Sequence, residues 1–363
     1  MQPQLTLWDP RPAGSDEILS ADQINALRTA LEGRLLAVCF GAGVDSTAML
    51  VALRVAGLKP DVITFADTKG EKPETIAHCA AVSSLMEQWG WPRVDTVCKV
   101  PLATTGYDSL FGNCEANSTL PSLAFGLKSC SVKWKQIPQD QFLKGVKTGP
   151  NARPVHPLWL KSIERGEKIV KLIGYDCGRA DLRRSGRLKE TDGEFDFFYP
   201  LQLIGWSRPD CISAIAKVMG AHMVPVKSAC YYCPASKTHE LYWLAAKHPD
   251  LLENALRLEH RALTGRHSRF DEVEFGDNWE NLVKNADRFP SSKTTIGLGR
   301  SFAWNHWARI NNVVDEQGRV RRDEVSRERF LRKADALRND DNALDSRNEA
   351  GCKKSTKPPD LST

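Results

Sequence analysis

The stretch that most constrains this chain is residues 35–47, LLAVCFGAGVDST. Leu35, Leu36, Ala37, Val38, Cys39 and Phe40 read as a buried strand, an unbroken apolar run too short for a core helix. Gly41 and Gly43 then let the backbone turn tightly, and Asp45, Ser46 and Thr47 bring capping oxygens to the helix that follows. A strand that enters a helix through such a turn leaves several amide N–H groups converging on one point, where a phosphate would bind. No Gly-Lys-Ser/Thr follows at the required spacing, so the loop is not a Walker A motif. The plainer alternative is an ordinary strand-to-helix turn.

The flanking segments repeat the same alternation. Ser20 to Gln23 is a capping-box pattern, with Ile24, Leu27 and Leu31 at helical spacing and Gly33 as the stop. Helix at residues 46–56, strand at 61–66, helix from Pro73 to about Trp89 and strand at 94–100 follow in order. This spacing predicts right-handed crossovers and an α/β fold, a doubly wound, mainly parallel sheet with a smaller C-terminal helical lobe. Asp67, Thr68 and Gly70 fall just past a strand's carboxyl end, where open parallel sheets place ligands. Residues 101–126 read as a long connection and 145–166 as loop. A fourth strand is expected at 168–175, then an edge strand from Phe195 that Pro200 interrupts, then a helix capped by Ser207. Trp304 and Trp307 are expected to pack a last helix, and the charged segment 315–363 to be solvated around 327–337 and disordered at its end. The expected boundaries are an arm at 1–19, a nucleotide-binding domain at 20–245, a helical lobe at 246–314 and a tail at 315–363.

Several side chains in this frame can carry chemistry. Cys230 and Cys233 form a CxxC pair followed by Pro234, the spacing of a metal knuckle. Tetrahedral zinc takes four ligands and a cubane cluster is held by cysteine thiolates, so Cys114 and Cys130 are the candidates to complete the set. A redox-active pair and plain structural thiols are the alternatives, and Cys39, Cys79, Cys98 and Cys211 read as core residues. Arg179, Arg183, Arg184, Arg187 and Lys189 follow the fourth strand as a basic run. Either this is a solvated face, or one or two of its arginines, Arg179 and Arg183 first, fork onto phosphate oxygens, with Lys133 and Lys135 as a second cationic wall. His156, His222 and His239 have no partner at catalytic spacing and read as structural.

The ten cysteines and the N-terminus MQPQLTLWDPRPAGSDE, with no basic flank before an apolar core, read as a reduced, cytoplasmic protein without a membrane span. A formal charge of +5 over 363 residues suits an anionic nucleotide and by itself does not mark a nucleic-acid binder.

Four stretches together resemble one family. Gly41, Ala42, Gly43, Val44, Asp45 and Ser46 stand in the six places of the Ser-Gly-Gly-x-Asp-Ser loop of the PP-loop superfamily, the adenine nucleotide alpha-hydrolases. Asp67-Thr68-Lys69-Gly70 with Pro73-Glu74-Thr75, the segment from Cys130 to Pro138, and the Cys230–Cys233 pair are similar to its phosphoadenosine phosphosulfate (PAPS) reductase-like branch. Gly41 departs from the usual serine and Ala42 from the first glycine. The resemblance implies a nucleotide whose phosphates lie on residues 41–47 and whose adenosine lies near Asp67 and Thr68. It also implies an iron-sulfur cluster on Cys130, Cys230 and Cys233, with zinc as the alternative and Cys114 added from its placement.

The activity implied is ATP-dependent adenylylation with pyrophosphate release, serving sulfur transfer, with Asp45 either capping its helix or holding Mg2+ and with a sulfur donor as partner. Reduction of PAPS with a thioredoxin-like dithiol is the runner-up. The branch's C-terminal Glu-Cys-Gly-x-His motif is absent, and Cys352 stands alone in the tail, which counts against that reduction. A nucleic-acid-associated binding module, contacting through residues 179–189 and the tail, is the third reading.

Overall fold

The structure is a computed structural model that describes residues 18–125, 127, 129–187, 190–264, 297–300 and 302–350. Residues 1–17 of the expected arm, Lys189, Cys352 and the end of the tail lie outside the described residues. The chain divides into two compact units that are discontinuous in sequence: Met1–Asp67, Glu71–Cys98 and Gln136–Ser228 make the first, and Thr68–Gly70, Lys99–Lys135 and Ala229–Thr363 the second. The expected nucleotide domain at 20–245 therefore contributes residues to both.

The first unit is built on five parallel strands: β1 (Leu36–Phe40), β2 (Val62–Asp67), β3 (Val94–Cys98), β4 (Ile169–Ile173) and β5 (Phe195–Phe198), in the order β3-β2-β1-β4-β5. Val38 at the centre pairs with Ile63 on one side and Leu172 on the other. Side chains of β1 alternate between two cores. Leu36, Val38 and Phe40 pack with helices α1 (Ala21–Leu31), α2 (Val44–Ala56), α3 (Pro73–Gln88) and the helix Arg208–Val218. Leu35 and Ala37 pack with Leu143, Leu158 and Phe195 on the opposite face. Each fully buried Val or Phe here contributes roughly 1.5–3 kcal/mol relative to exposure.

The local signals explain the helix ends. Ser20 and Gln23 cap α1 reciprocally, and Gly57 closes α2 in the left-handed conformation at φ 73°. Pro73 opens α3, where its missing N–H costs no hydrogen bond. Two expectations for this unit are corrected. Residues 145–166 are not all loop, because Pro157–Arg165 is a helix whose N-cap is His156, with Nδ1 accepting from the Leu158 amide at 3.1 Å. Imidazole is an uncommon cap, so the sequence carries no ordinary N-cap signal at this start. The strand expected at 168–175 is shorter, because Gly174 and Tyr175 leave the sheet.

The second unit is helical. Its core joins the helices Leu110–Ala116, Thr238–Lys247, Pro249–Thr264, Trp304–Ile310 and Glu324–Ala350 through Leu241, Leu252, Leu258, Trp304 and Phe330. Trp304 and Trp307 do pack a helix into the body, as expected. The segment around 327–337 is not simply solvated: Phe330 and Ala334 are fully buried, and only the remaining face is charged. Glu259, completely buried, accepts from the amides of Leu298, Trp304 and Asn305 and so caps the Trp304–Ile310 helix from within the core. No helix among the described residues is long and apolar enough to cross a membrane.

Candidate active site

In the strand order β3-β2-β1-β4-β5, the chain leaves β1 towards β2 and later returns on the other side as β4. The carboxyl ends of β1 and β4 thus flank the topological switch point, where an open parallel sheet has its crevice. Residues 41–47 follow β1 and residues 174–181 follow β4.

The first of these segments is a tight strand-to-helix turn. Ala42 is fully buried with φ 51°, the left-handed region for which glycine is the ordinary choice. Gly43 is the N-cap of α2 and its amide donates to Ser46 Oγ at 3.2 Å. Its carbonyl accepts from Ser46 Oγ at 3.2 Å, Thr47 Oγ1 at 2.8 Å and the Thr47 amide at 3.0 Å. The amides of Val44, Asp45 and Ser46 open α2 and have no carbonyl within the helix to bind.

Thr47 is itself held by His78 of α3, whose Nε2 lies 2.9 Å from Oγ1. Since the hydroxyl proton is used on Gly43, His78 is the donor and carries its proton on Nε2. Burial pushes its pKa down to about 4, which keeps it neutral in this role.

On the β4 side, Gly174 makes the close approach possible. A Cβ there would lie 2.7 Å from both N and Cα of Ser46. Beyond it, Asp45, Asp176 and Asp181 each present a carboxylate oxygen, all within 4.8 Å of one another. Arg208 binds Asp45 at 2.8 Å and Asp176 at 3.5 Å, and Arg184 binds Asp181 at 2.7 Å. Two guanidinium groups thus face three carboxylates. Asp176 also accepts from the Gly178 amide at 2.8 Å. Oδ1 of Asp45 is buried and has no hydrogen-bond partner among the described residues. Burial lifts the Asp45 carboxyl to about 7 against the pull of Arg208, with Asp176 and Asp181 adding to the rise. Burial likewise raises Asp181, with Arg184 opposing. Oxygen donors in this number suit a hard divalent cation.

Arg179 and Arg183 are exposed on the short helix Arg179–Ser185, with Arg183 Nε donating to the Arg179 carbonyl at 3.2 Å. The cations on the aspartates are Arg184 and Arg208 instead. Asp67 ends β2 in the first unit, whereas Thr68 and Lys133 belong to the second. Lys133 is exposed on a π-turn, Val132–Gln136. Thr68 is buried with Oγ1 3.0 Å from Cys230 Sγ.

The second unit contains all four candidate metal cysteines. Cys230 and Cys233 share a tight turn closed by the Cys233 amide on the Cys230 carbonyl at 3.0 Å. Cys114 is buried on Leu110–Ala116, and the Cys130 amide donates to Ser122 Oγ at 2.8 Å. Burial pushes the Cys114 thiol up to about 12, and neighbouring Cys130 adds to the rise. Phe111, Tyr231 and Tyr232 pack together beside the turn, Tyr232 edge-to-face on the other two and Phe111 tilted on Tyr231, with ring centroids 4.8–5.9 Å apart. Among the described residues the aspartates are the one group of three or more ligand side chains with donor atoms within 4.8 Å, so no three cysteine sulfurs are that close. A tetrahedral zinc with Zn–S of roughly 2.3 Å holds its sulfurs about 3.8 Å apart.

No family model and no curated protein matches the chain. Among solved structures, U34-tRNA thiolase NcsA from Methanococcus maripaludis with its [4Fe-4S] cluster is similar over 65% of this chain and 77% of that one, at 14% identity and a TM-score of 0.34. At that level the likeness assigns no residue and no reaction.

Arg208, Asp176, Asp181, His78 and Gly174 are the site residues that the sequence did not single out. Asp176 and Asp181 lie just after β4 among Arg179, Arg183 and Arg184, whose charge dominates that stretch of sequence. Arg208 follows the cap Ser207 and reads there as an ordinary first-turn residue.

Proposed function

We propose that this chain is an ATP-using enzyme of the PP-loop type. A substrate nucleophile attacks the α-phosphorus, the bond from it to the oxygen bridging to the β-phosphate breaks and pyrophosphate leaves; a sulfur nucleophile from the donor then attacks the activated atom of the adenylylated substrate and AMP departs with the former substrate oxygen. The observation that carries the reading is the combination at the switch point: the first three amides of α2, which have no carbonyl partner inside the helix, beside Asp45, one of whose carboxylate oxygens is buried with no hydrogen-bond partner among the described residues. The α2 amides bind phosphate oxygens, Ala42 and Gly43 give the loop its curvature, and the hydroxyl of Thr47 fixes the Gly43 carbonyl away from the anion. Arg208 and Arg184 offset part of the aspartates' charge.

The aspartate set fits Mg2+, which Asp45, Asp176 and Asp181 would hold. Bound there it would offset charge on the leaving pyrophosphate. Arg179 and Arg183, exposed after β4, remain candidates to meet the nucleotide from solvent, and Lys133 a candidate cation of the second unit.

In the second unit Cys114, Cys130, Cys230 and Cys233 would hold an iron-sulfur cluster. Four cysteines in one compact unit match the thiolate ligand set of a cubane cluster, with zinc as the alternative. A cluster would supply a site for binding or relaying sulfur, and the Thr68 hydroxyl beside Cys230 would tune that thiolate.

Anaerobically purified protein tests both halves. Calorimetry with ATP and Mg2+ is expected to show one saturable site, and absorption near the cluster's charge-transfer bands is expected with iron and sulfide in equal amounts. Absence of nucleotide binding would overturn the first half. A colourless protein containing zinc would overturn the second.

A further inference from the structure

The loop at residues 41–47 has glycine at Gly41 and Gly43, so two of its positions offer no side chain to a ligand. A hydroxyl nevertheless stands there. A Cβ built on Gly43 would lie 2.7 Å from Oγ of Ser228, a residue 185 positions further along the chain and in the same compact unit. The missing side chain at Gly43 is what admits Ser228 to this place.

The segment carrying Ser228 is fastened. Lys72, buried at the N-terminus of α3, donates from Nζ to the carbonyl of Lys227 at 3.4 Å. A buried ammonium on the preceding residue fixes where the Ser228 side chain leaves the backbone. The hydroxyl therefore has a set position beside the N-cap of α2, on the side left open by Gly43.

We infer that Ser228 supplies the side-chain hydroxyl of the phosphate cradle, donating to a phosphate oxygen of the bound nucleotide in place of a hydroxyl from the loop itself. This rests on the nucleotide reading given above. Gly41 is the natural site for the same group to be restored. Its backbone is outside the left-handed region, and a Cβ there would meet only Ser46 Oγ, at an ordinary 3.7 Å.

The test is calorimetric titration of the full chain with inorganic pyrophosphate, with ATP and with adenosine, each with Mg2+. A hydrogen bond to a charged group is worth enough that Ser228→Ala is expected to weaken pyrophosphate and ATP binding about tenfold or more. Adenosine binding stays as in the wild type. Gly41→Ser in the Ser228→Ala background is expected to restore most of the loss. Thermal unfolding of each variant confirms that it is folded, and Ser228→Thr, which keeps the hydroxyl, is expected to bind pyrophosphate better than Ser228→Ala.

If Ser228→Ala binds pyrophosphate as well as the wild type does, the inference falls and the nucleotide reading stands. If the loss is shared by adenosine, or Gly41→Ser restores nothing, Ser228 is only a packing residue and the inference also falls. If the wild type binds neither pyrophosphate nor ATP, the nucleotide reading fails and takes the inference with it.

Discussion

Asp45 is where burial and charge oppose each other most directly. In the fold its carboxyl titrates near 7 against about 3.8 when unperturbed, so between these values the folded chain holds the extra proton. Stability then falls as pH rises through that window, since the folded state binds more protons than the unfolded one. The unliganded protein is therefore expected to melt at a lower temperature at pH 7.5 than at pH 5 through this group, and Asp45→Asn is expected to flatten the slope. Melting curves at five or six pH values check both.

Gly174 makes a second residue-scale prediction. Alanine there brings its Cβ within 2.7 Å of the Ser46 backbone, which can yield only by moving the first turn of α2. Overpacking of this kind costs about 1–3 kcal/mol. Gly174→Ala is expected to lower the urea midpoint by a corresponding amount and to weaken pyrophosphate binding more than tenfold. Unchanged binding would mean that the loop does not depend on this contact.

At the scale of elements, the helix Glu324–Ala350 shows what the sequence could and could not disclose. Its charged residues dominate the count, yet Phe330 is fully buried while Val325 is 74% exposed. Phe330→Ala is expected to destabilise the second unit by about 3–5 kcal/mol. Val325→Ala is expected to stay within about 0.5 kcal/mol. Chemical denaturation followed by tryptophan fluorescence separates the two.

The strands and α1 to α3 were readable because each has a local cause: an unbroken apolar run in β1 and apolar-rich runs in the others, a capping box at Ser20, Pro73 at a first turn, Gly57 at a last one. The loop after β1 was readable for the same reason. Arg208 and His78 were not, because nothing in their own neighbourhoods distinguishes them; what matters is which strand ends and helix faces the sheet order brings together. Apolar residues spaced along a highly charged helix, as in Phe330 and Ala334, are similarly muted until their neighbours are known.

For the whole molecule, the interleaving of the two units limits what can be cut away. A chain ending at residue 245 would keep the sheet and the loop but lose the helices that cover Leu241, Tyr242 and Leu244. Such a truncation is expected to accumulate as aggregate, whereas full-length protein stays in the soluble fraction. Sedimentation of the two expressed side by side decides it.

The same interleaving sets a timetable on the ribosome. Phe111, Cys114 and Cys130 emerge early, but Trp304 and Phe330, which share their core, come about 200 residues later, a delay of roughly 10–40 s at ordinary elongation rates. During that interval these thiols stand unsheltered beside bare aromatic rings. An inorganic group that these cysteines were to hold would have its widest entrance before translation ends.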